Sequence, residues 1–412
     1  MLSRKDFLYT TAFGALSLAI VPTQMSCSAP SSQDDEFWKS MREAFIISPE
    51  IINLNNGGVS PQPKSVQKAH EEHLKFCNAA PSFFMWRKLD EQREPLRLRL
   101  ATLWGCDAEE LAINRNTTEG LNTIIAGLPL IAGDEIVLSK YDYPNMMNAW
   151  KQREQRDGIV LKWVDLNLPE ENEDAIVAKY QAAMTARTKV VHITHIINWT
   201  GQILPAKKLT AMAHAAGSEV ILDASHSFVH IDYKLSDIRP DYAATSLHKW
   251  LCAPFGTGIM YIRKDKIHKV WPAFSAPEPL SDNIRKFEWI GTRSFAAEMS
   301  AHAALDFHNK IGIQRKEERL RYLKNYWYNQ VKDIPKVKLY TSLKTAFSGG
   351  IATFGIVGKE AVEIEKYLLE KHHIHTTVVV HEKLNGVRIS PHIYTTTAEL
   401  DILVEAIKTL AL

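Results

Sequence analysis

Lys249 closes the segment Thr245-Ser246-Leu247-His248-Lys249 and is followed by a glycine-bearing loop, Pro254-Phe255-Gly256-Thr257-Gly258. The apolar run before it reads as a buried strand, so the lysine stands at a strand end. Lysine is seldom buried unless it is paired or chemically used. A desolvated lysine loses its proton more readily, and the free amine can attack an aldehyde to form a Schiff base. A surface lysine after a strand would give the same local pattern, so partners decide the matter. Upstream, Leu222-Asp223-Ala224-Ser225-His226 ends a second apolar run. A carboxylate at Asp223 would keep a facing pyridine nitrogen protonated, and His226 would donate to a phenolic oxygen on the same ring. Both are needs of pyridoxal 5'-phosphate (PLP), an electron sink only while its ring nitrogen carries a proton. A phosphate also needs a cradle, best made by a helix N-terminus with hydroxyls. Asn116-Thr117-Thr118-Glu119-Gly120 opens an apolar helical stretch and suits that need. An ordinary capped helix would look alike, since Thr is a common N-cap.

The elements that must position these residues alternate. Residues 135–139, 159–164, 189–196, 219–223, 242–246 and 258–263 read as buried strands. Helical patterns at 145–156, 174–186 and 206–216 lie between several of them. Strand–helix alternation implies an α/β fold, a mostly parallel sheet covered by helices on both faces. Ligands sit beyond the carboxyl ends of the strands in such sheets, where Asp223 falls. A long helix is expected at 296–311, a charged one at 314–331, and a smaller α+β domain from 337 to the C-terminus. The expected division is a leader at 1–30, an N-terminal segment at 31–75 joining the small domain, a large domain at 76–295, and the long helix with the small domain at 296–412.

The chain of 412 residues is 45% hydrophobic and 23% charged, enough to bury a large core without disulfides or metals. Lys and Arg number 49 against 47 Asp and Glu, a net charge of +2, which argues against nucleic acid as a partner. Ser3-Arg4-Lys5-Asp6-Phe7-Leu8, an apolar run and a small-residue stretch make an export signal. It resembles a twin-arginine (Tat) signal with Lys5 in place of the second arginine, so a periplasmic protein is expected. Cys27 is a candidate lipid anchor, although Gln24-Met25-Ser26 lacks the usual aliphatic residue. The cysteines Cys27, Cys77, Cys106 and Cys252 have no CxxC spacing, and His372-His373-Ile374-His375 has no acidic or cysteine company, so no metal site is expected.

Leu54-Asn55-Asn56-Gly57-Gly58-Val59-Ser60-Pro61, Met85-Trp86-Arg87, Arg115-Asn116-Thr117-Thr118-Glu119, the Asp-x-x-His of 223–226 and the Ser-x-His-Lys of 246–249 together resemble the class V aminotransferase family of fold-type I PLP-dependent enzymes. Within it, the chain is similar to the isopenicillin N epimerase-like branch. The resemblance runs from about Phe45 to the C-terminus. It implies that Lys249 carries the cofactor and shuttles protons, that Asp223 pairs with the pyridinium, and that His226 meets the phenolic oxygen. Thr117, Thr118, Ser246 and His248 would bind the phosphate. Tyr143 would stack on the cofactor where many relatives have histidine, and Asn198 would lie near its substituents. Arg388 would clamp the substrate α-carboxylate, with Asn56 also at the substrate. Thr292, in Gly291-Thr292-Arg293, would reach the phosphate of a second subunit, making a homodimer with a shared site.

The reaction is less constrained. Transamination needs only Lys249 and a site that releases the keto acid. Epimerisation needs a second proton donor on the opposite face, for which Tyr143 is the candidate. A lyase is the alternative, and a non-catalytic exported binding protein a further one. Persulfide-forming desulfuration is disfavoured, because no cysteine follows Cys252.

Overall fold

The structure is a computed structural model that describes residues 32–412. The expected leader, including Cys27, lies outside the described residues. Trp38–Leu412 is one compact unit, and of residues 1–37 only the opening of the helix Ser32–Glu43 is described.

In chain order the strands are β1 (Ile52–Asn53), β2 (Leu111–Asn114), β3 (Glu135–Ser139), β4 (Val160–Val164) and β5 (Thr188–Thr194). There follow β6 (Glu219–Asp223), β7 (Tyr242–Ser246), β8 (Gly258–Ile262), β9 (Val337–Leu339) and β10 (Ala352–Ile356). The last are β11 (Ile374–His375), β12 (Thr377–His381) and β13 (Leu384–Ile389). Seven of them form the large sheet in the order β2-β8-β7-β6-β5-β3-β4. The five from β7 to β4 run parallel, and β8 pairs antiparallel with both β7 and β2. The mostly parallel sheet expected from the sequence is therefore present. β3 and β7 are buried at every position, as strands covered by helices on both faces must be.

The chain turns back between β3 and β5, so the loops leaving neighbouring strands diverge there and open a crevice at the carboxyl edge. The helix Thr117–Gly127 packs across β7 and β8 with its N-terminus at that edge. Asn116 caps it, its side chain accepting from the Glu119 N–H at 2.9 Å. Gly120 lets the helix approach: a β carbon there would lie 2.9 Å from Ala244 Cβ in β7 and 2.6 Å from Asn114 Nδ2.

The helices Phe295–Ile311 and Ile313–Val331, broken at Gly312 with φ 80°, lead to a second sheet in the antiparallel order β12-β13-β10-β9. Its core gathers Trp327, Phe354, Val387 and Leu403. The loop after β5 ties the two sheets together. Thr353 Oγ1 donates to Trp199 O at 2.6 Å, Ile203 N–H to Phe347 O at 2.9 Å and Arg388 Nη1 to Asn198 O at 3.0 Å. β1, β2 and the helix Lys64–Ala79 were not expected from the sequence. Among the described residues no helix is long and apolar enough to cross a membrane.

Gly120→Ala is expected to destabilise the fold by about 1–3 kcal/mol, because overpacking against β7 outweighs the roughly 1 kcal/mol that alanine gains in a helix. A thermal or denaturant melt checks it.

Candidate active site

The ends of β3, β5, β6 and β7 and the helix N-terminus at Thr117 surround a cavity of about 430 Å³, within the range of small-molecule sites. The strand periodicity explains who points there: Asp223 is the last residue of β6 and Ser246 the last of β7, so both leave the sheet at its carboxyl edge. Lys249 follows three residues on, in the turn that closes β7.

Four lysines among the described residues are held below the usual ammonium range, chiefly by burial: Lys249, Lys286 and Lys316 at about 8, and Lys324 at about 7. Hydrogen bonding separates them. Lys286 donates to Ile267 O and Pro279 O, Lys316 to Trp250 O and Lys324 to Ser348 Oγ. The Lys249 amine has no hydrogen-bond partner among the described residues, and it alone of the four lines the cavity. Arg388 adds to the loss of its proton, and the Asp223 carboxylate opposes it.

Asp223 is 2% exposed, and its Oδ1 accepts from both the N–H and the hydroxyl of Ser225, at 2.9 and 2.5 Å. Burial, with Lys249 and Arg388 nearby, keeps His226 well below the usual imidazole range, so it is neutral at pH 7. Burial likewise lowers His248 to about 4. Ser246 Oγ accepts from the Thr117 N–H at 3.0 Å and shares a proton with Thr117 Oγ1 at 2.9 Å. These hydroxyls, Thr118 and the positive end of the helix make an anion cradle.

Arg388 reaches the cavity from β13 of the second sheet. It is 6% exposed and lowered to about 10, burial being the cause and Tyr143 opposing it. Its Nη2 donates to Asn55 Oδ1 at 2.8 Å. Tyr143 is 39% exposed at the cavity mouth, its loop pinned by the buried Asp142, which accepts from the Ser139 N–H at 2.8 Å and the Thr194 hydroxyl at 2.7 Å.

Thus Lys249, Asp223, His226, Thr117, Thr118, Tyr143, Asn198, Ser246, His248 and Arg388 all line one cavity. Two expected residues do not. The Asn56 side chain is fully buried, donating to Asn53 O and Ser390 O and accepting from Tyr394. Its neighbour Asn55 lines the cavity instead. Thr292 is exposed on a loop outside this cavity, anchored by Arg97–Glu288 at 2.6 Å and by Arg293–Glu298. Ser225, Thr194, Trp199 and Thr377 also line the site and were missed. Only Ser225 carried a signal, as an Asp-x-Ser turn that bonds its own backbone.

The residues fit PLP. A carboxylate, a lysine without a partner and a hydroxyl-lined helix N-terminus share the cavity. Asn198 Oδ1, His226 Nδ1, His248 Nδ1 and Arg388 Nε are buried there without hydrogen-bond partners, as is common where a polar ligand completes the network.

The aminotransferase class-V family model matches residues 52–403. The chain is 30% identical to the isopenicillin N epimerase of Streptomyces clavuligerus over 90% of its own length and 98% of that protein's. It is 26% identical to a probable cysteine desulfurase of Methanothermobacter thermautotrophicus, over 90% and 98% of the two chains. Two solved structures of C-DES, named as a cystine C–S lyase, align with TM-scores of 0.81 and 0.79 at 20% identity, covering 88% and 87% of this chain and 98% and 97% of theirs. One of them carries glycine linked to its PLP cofactor. At that identity the likeness to C-DES is one of fold. With the family match spanning most of the sequence, the chain belongs to the aminotransferase class-V family.

Proposed function

We propose that this protein moves the Cα proton of an α-amino acid, by transamination or epimerisation. The observation that carries the reading is a desolvated Lys249 whose amine has no hydrogen bond, in one cavity with Asp223 and Arg388. The cofactor is PLP, which supplies an aldehyde for the lysine and an electron sink for the bond pair released at Cα. Lys249 holds the cofactor and then carries the proton at Cα, its value near 8 suiting a base at neutral pH. Asp223, oriented by Ser225, would keep the ring nitrogen protonated. With PLP bound, His226 would meet the phenolic oxygen, and Thr117, Thr118, Ser246 and His248 would hold the phosphate. Arg388, steadied by Asn55 and the Asn198 carbonyl, takes the substrate α-carboxylate. Inversion at Cα would need a second donor, and Tyr143 at the mouth is the candidate.

A lyase is the second reading, supported by the fold shared with the cystine C–S lyase. Desulfuration through a persulfide on an enzyme cysteine is disfavoured because none of Cys77, Cys106 and Cys252 lines the cavity. We also propose a homodimer in which Thr292 serves the partner's phosphate. Its exposure outside this chain's own cavity supports that, as do the exposed Trp86 and Trp289. Export through the Tat route remains our proposal from the leader sequence.

Purified protein is expected to be yellow, and Lys249→Ala to lose turnover and the covalent cofactor link. Added amino acids should either bleach the visible band, which marks transamination, or shift it with exchange of the Cα hydrogen for deuterium, which marks epimerisation. A colourless protein that PLP cannot reconstitute contradicts the proposal.

Because the amine must be neutral to capture an aldehyde, the capture rate by cofactor-free protein should rise with pH and level off above about 8, well before an ordinary lysine near 10.4 would. Rapid-mixing spectroscopy across pH 6–10 reads this. Asp223 is the only acid among the cavity-lining residues, so cationic amino acids should show kcat/KM at least about tenfold below neutral ones of equal length.

A further inference from the structure

Asn55 joins Arg388 to a residue outside the cavity. β1 and β11 pair in parallel, Asn53 opposite His375, and the Leu54 N–H donates to His375 O at 2.9 Å. This pairing sets the Asn55 side chain beside the exposed His375 ring, and Asn55 Nδ2 lies 3.3 Å from His375 Nε2. On its other side Asn55 Oδ1 accepts from Arg388 Nη2 at 2.8 Å.

A carboxamide has one oxygen end and one NH2 end, and a guanidinium offers only donors. The oxygen must therefore face Arg388, and the NH2 must face His375. There the Nε2 lone pair of the Nδ1–H tautomer can accept from it. Turned over, the amide would set its NH2 against the guanidinium, two donors together. The backbone gives it little freedom to move away. The Asn55 N–H donates to Asn53 Oδ1 at 3.1 Å and the Gly58 N–H to Asn55 O at 3.0 Å. A β carbon on Gly57 would lie 3.6 Å from Arg388 Cζ, so the loop lies against the guanidinium itself. The Nη1 contact to Asn198 O and the Nη2 contact to Asn55 together fix the rotation of the fork.

We propose that His375 is a positioning residue for the carboxylate clamp: by accepting from the Asn55 amide it locks that amide, and through it Arg388, in the orientation that receives an α-carboxylate. This rests on the reading of Arg388 given above. His375 does not line the cavity. It acts only on ligands that carry the carboxylate, which separates its role from a general structural one.

The test measures, on holoenzyme, the dissociation constants of an α-amino acid and of the corresponding amine lacking the carboxylate, from changes in the visible spectrum. His375→Leu and His375→Phe should weaken amino-acid binding by about threefold to tenfold, the scale of one lost hydrogen bond, and leave amine binding unchanged. His375→Gln, whose side-chain oxygen can accept, should restore most of the loss. Equal losses for amino acid and amine, no loss, or Gln behaving like Leu would each overturn the proposal. Arg388→Leu separates the two claims. If it keeps the parent's preference for the amino acid over the amine, the clamp reading fails. If it loses that preference while His375→Leu keeps it, the role of His375 alone fails.

Discussion

The dehydration of one amine governs this site. Lys249 sits in the turn beyond a strand buried at every position, with a second cation, Arg388, in the same cavity. Burying a charge without a partner is costly, so the group yields its proton instead. Asp223 limits the effect, holding Lys249 near 8. Three other lysines are shifted as far, yet each hydrogen-bonds to protein oxygens. A lowered proton affinity therefore does not mark the reactive lysine by itself. What marks it is a lowered affinity together with an amine left free in a cavity.

Keeping that amine dry and free requires two sheets. The parallel sheet provides Asp223, Ser246 and Lys249 from the ends of adjacent strands, while Arg388 comes from the antiparallel sheet. The loop after β5 lies between them, and its Asn198 and Trp199 carbonyls and Ile203 N–H bond to Arg388, Thr353 and Phe347, so the placing of arginine against lysine depends on this loop. The buried Asp142, accepting from Ser139 and Thr194, does the same for the Tyr143 loop within the large sheet.

What could be read from the sequence follows the same division. β3, β6 and β7 lie where the sequence placed them, because uninterrupted apolar and β-branched runs between polar ends leave no other register. Site residues at the ends of those strands were legible for that reason. Residues positioned by tertiary pairing were not. The choice between Asn55 and Asn56 depends on a two-residue strand pairing with β11, far along the chain, and the sequence holds no local trace of it. The edge strand β2 is only four residues long and ends on Asn114, too short for periodicity to reveal. Trp199 and Thr377 line the cavity because the second sheet folds over the first, which no spacing within either segment encodes.

The central claim, that Lys249 and no other lysine carries the cofactor, is tested most directly by chemical trapping. Purified protein reconstituted with PLP would be reduced with borohydride, digested, and its labelled peptides identified by mass spectrometry. The expected result is a single pyridoxyl-lysine, in the peptide containing His248-Lys249-Trp250. Label on Lys286, Lys316 or Lys324 in its place, or spread without preference among them, would contradict the account.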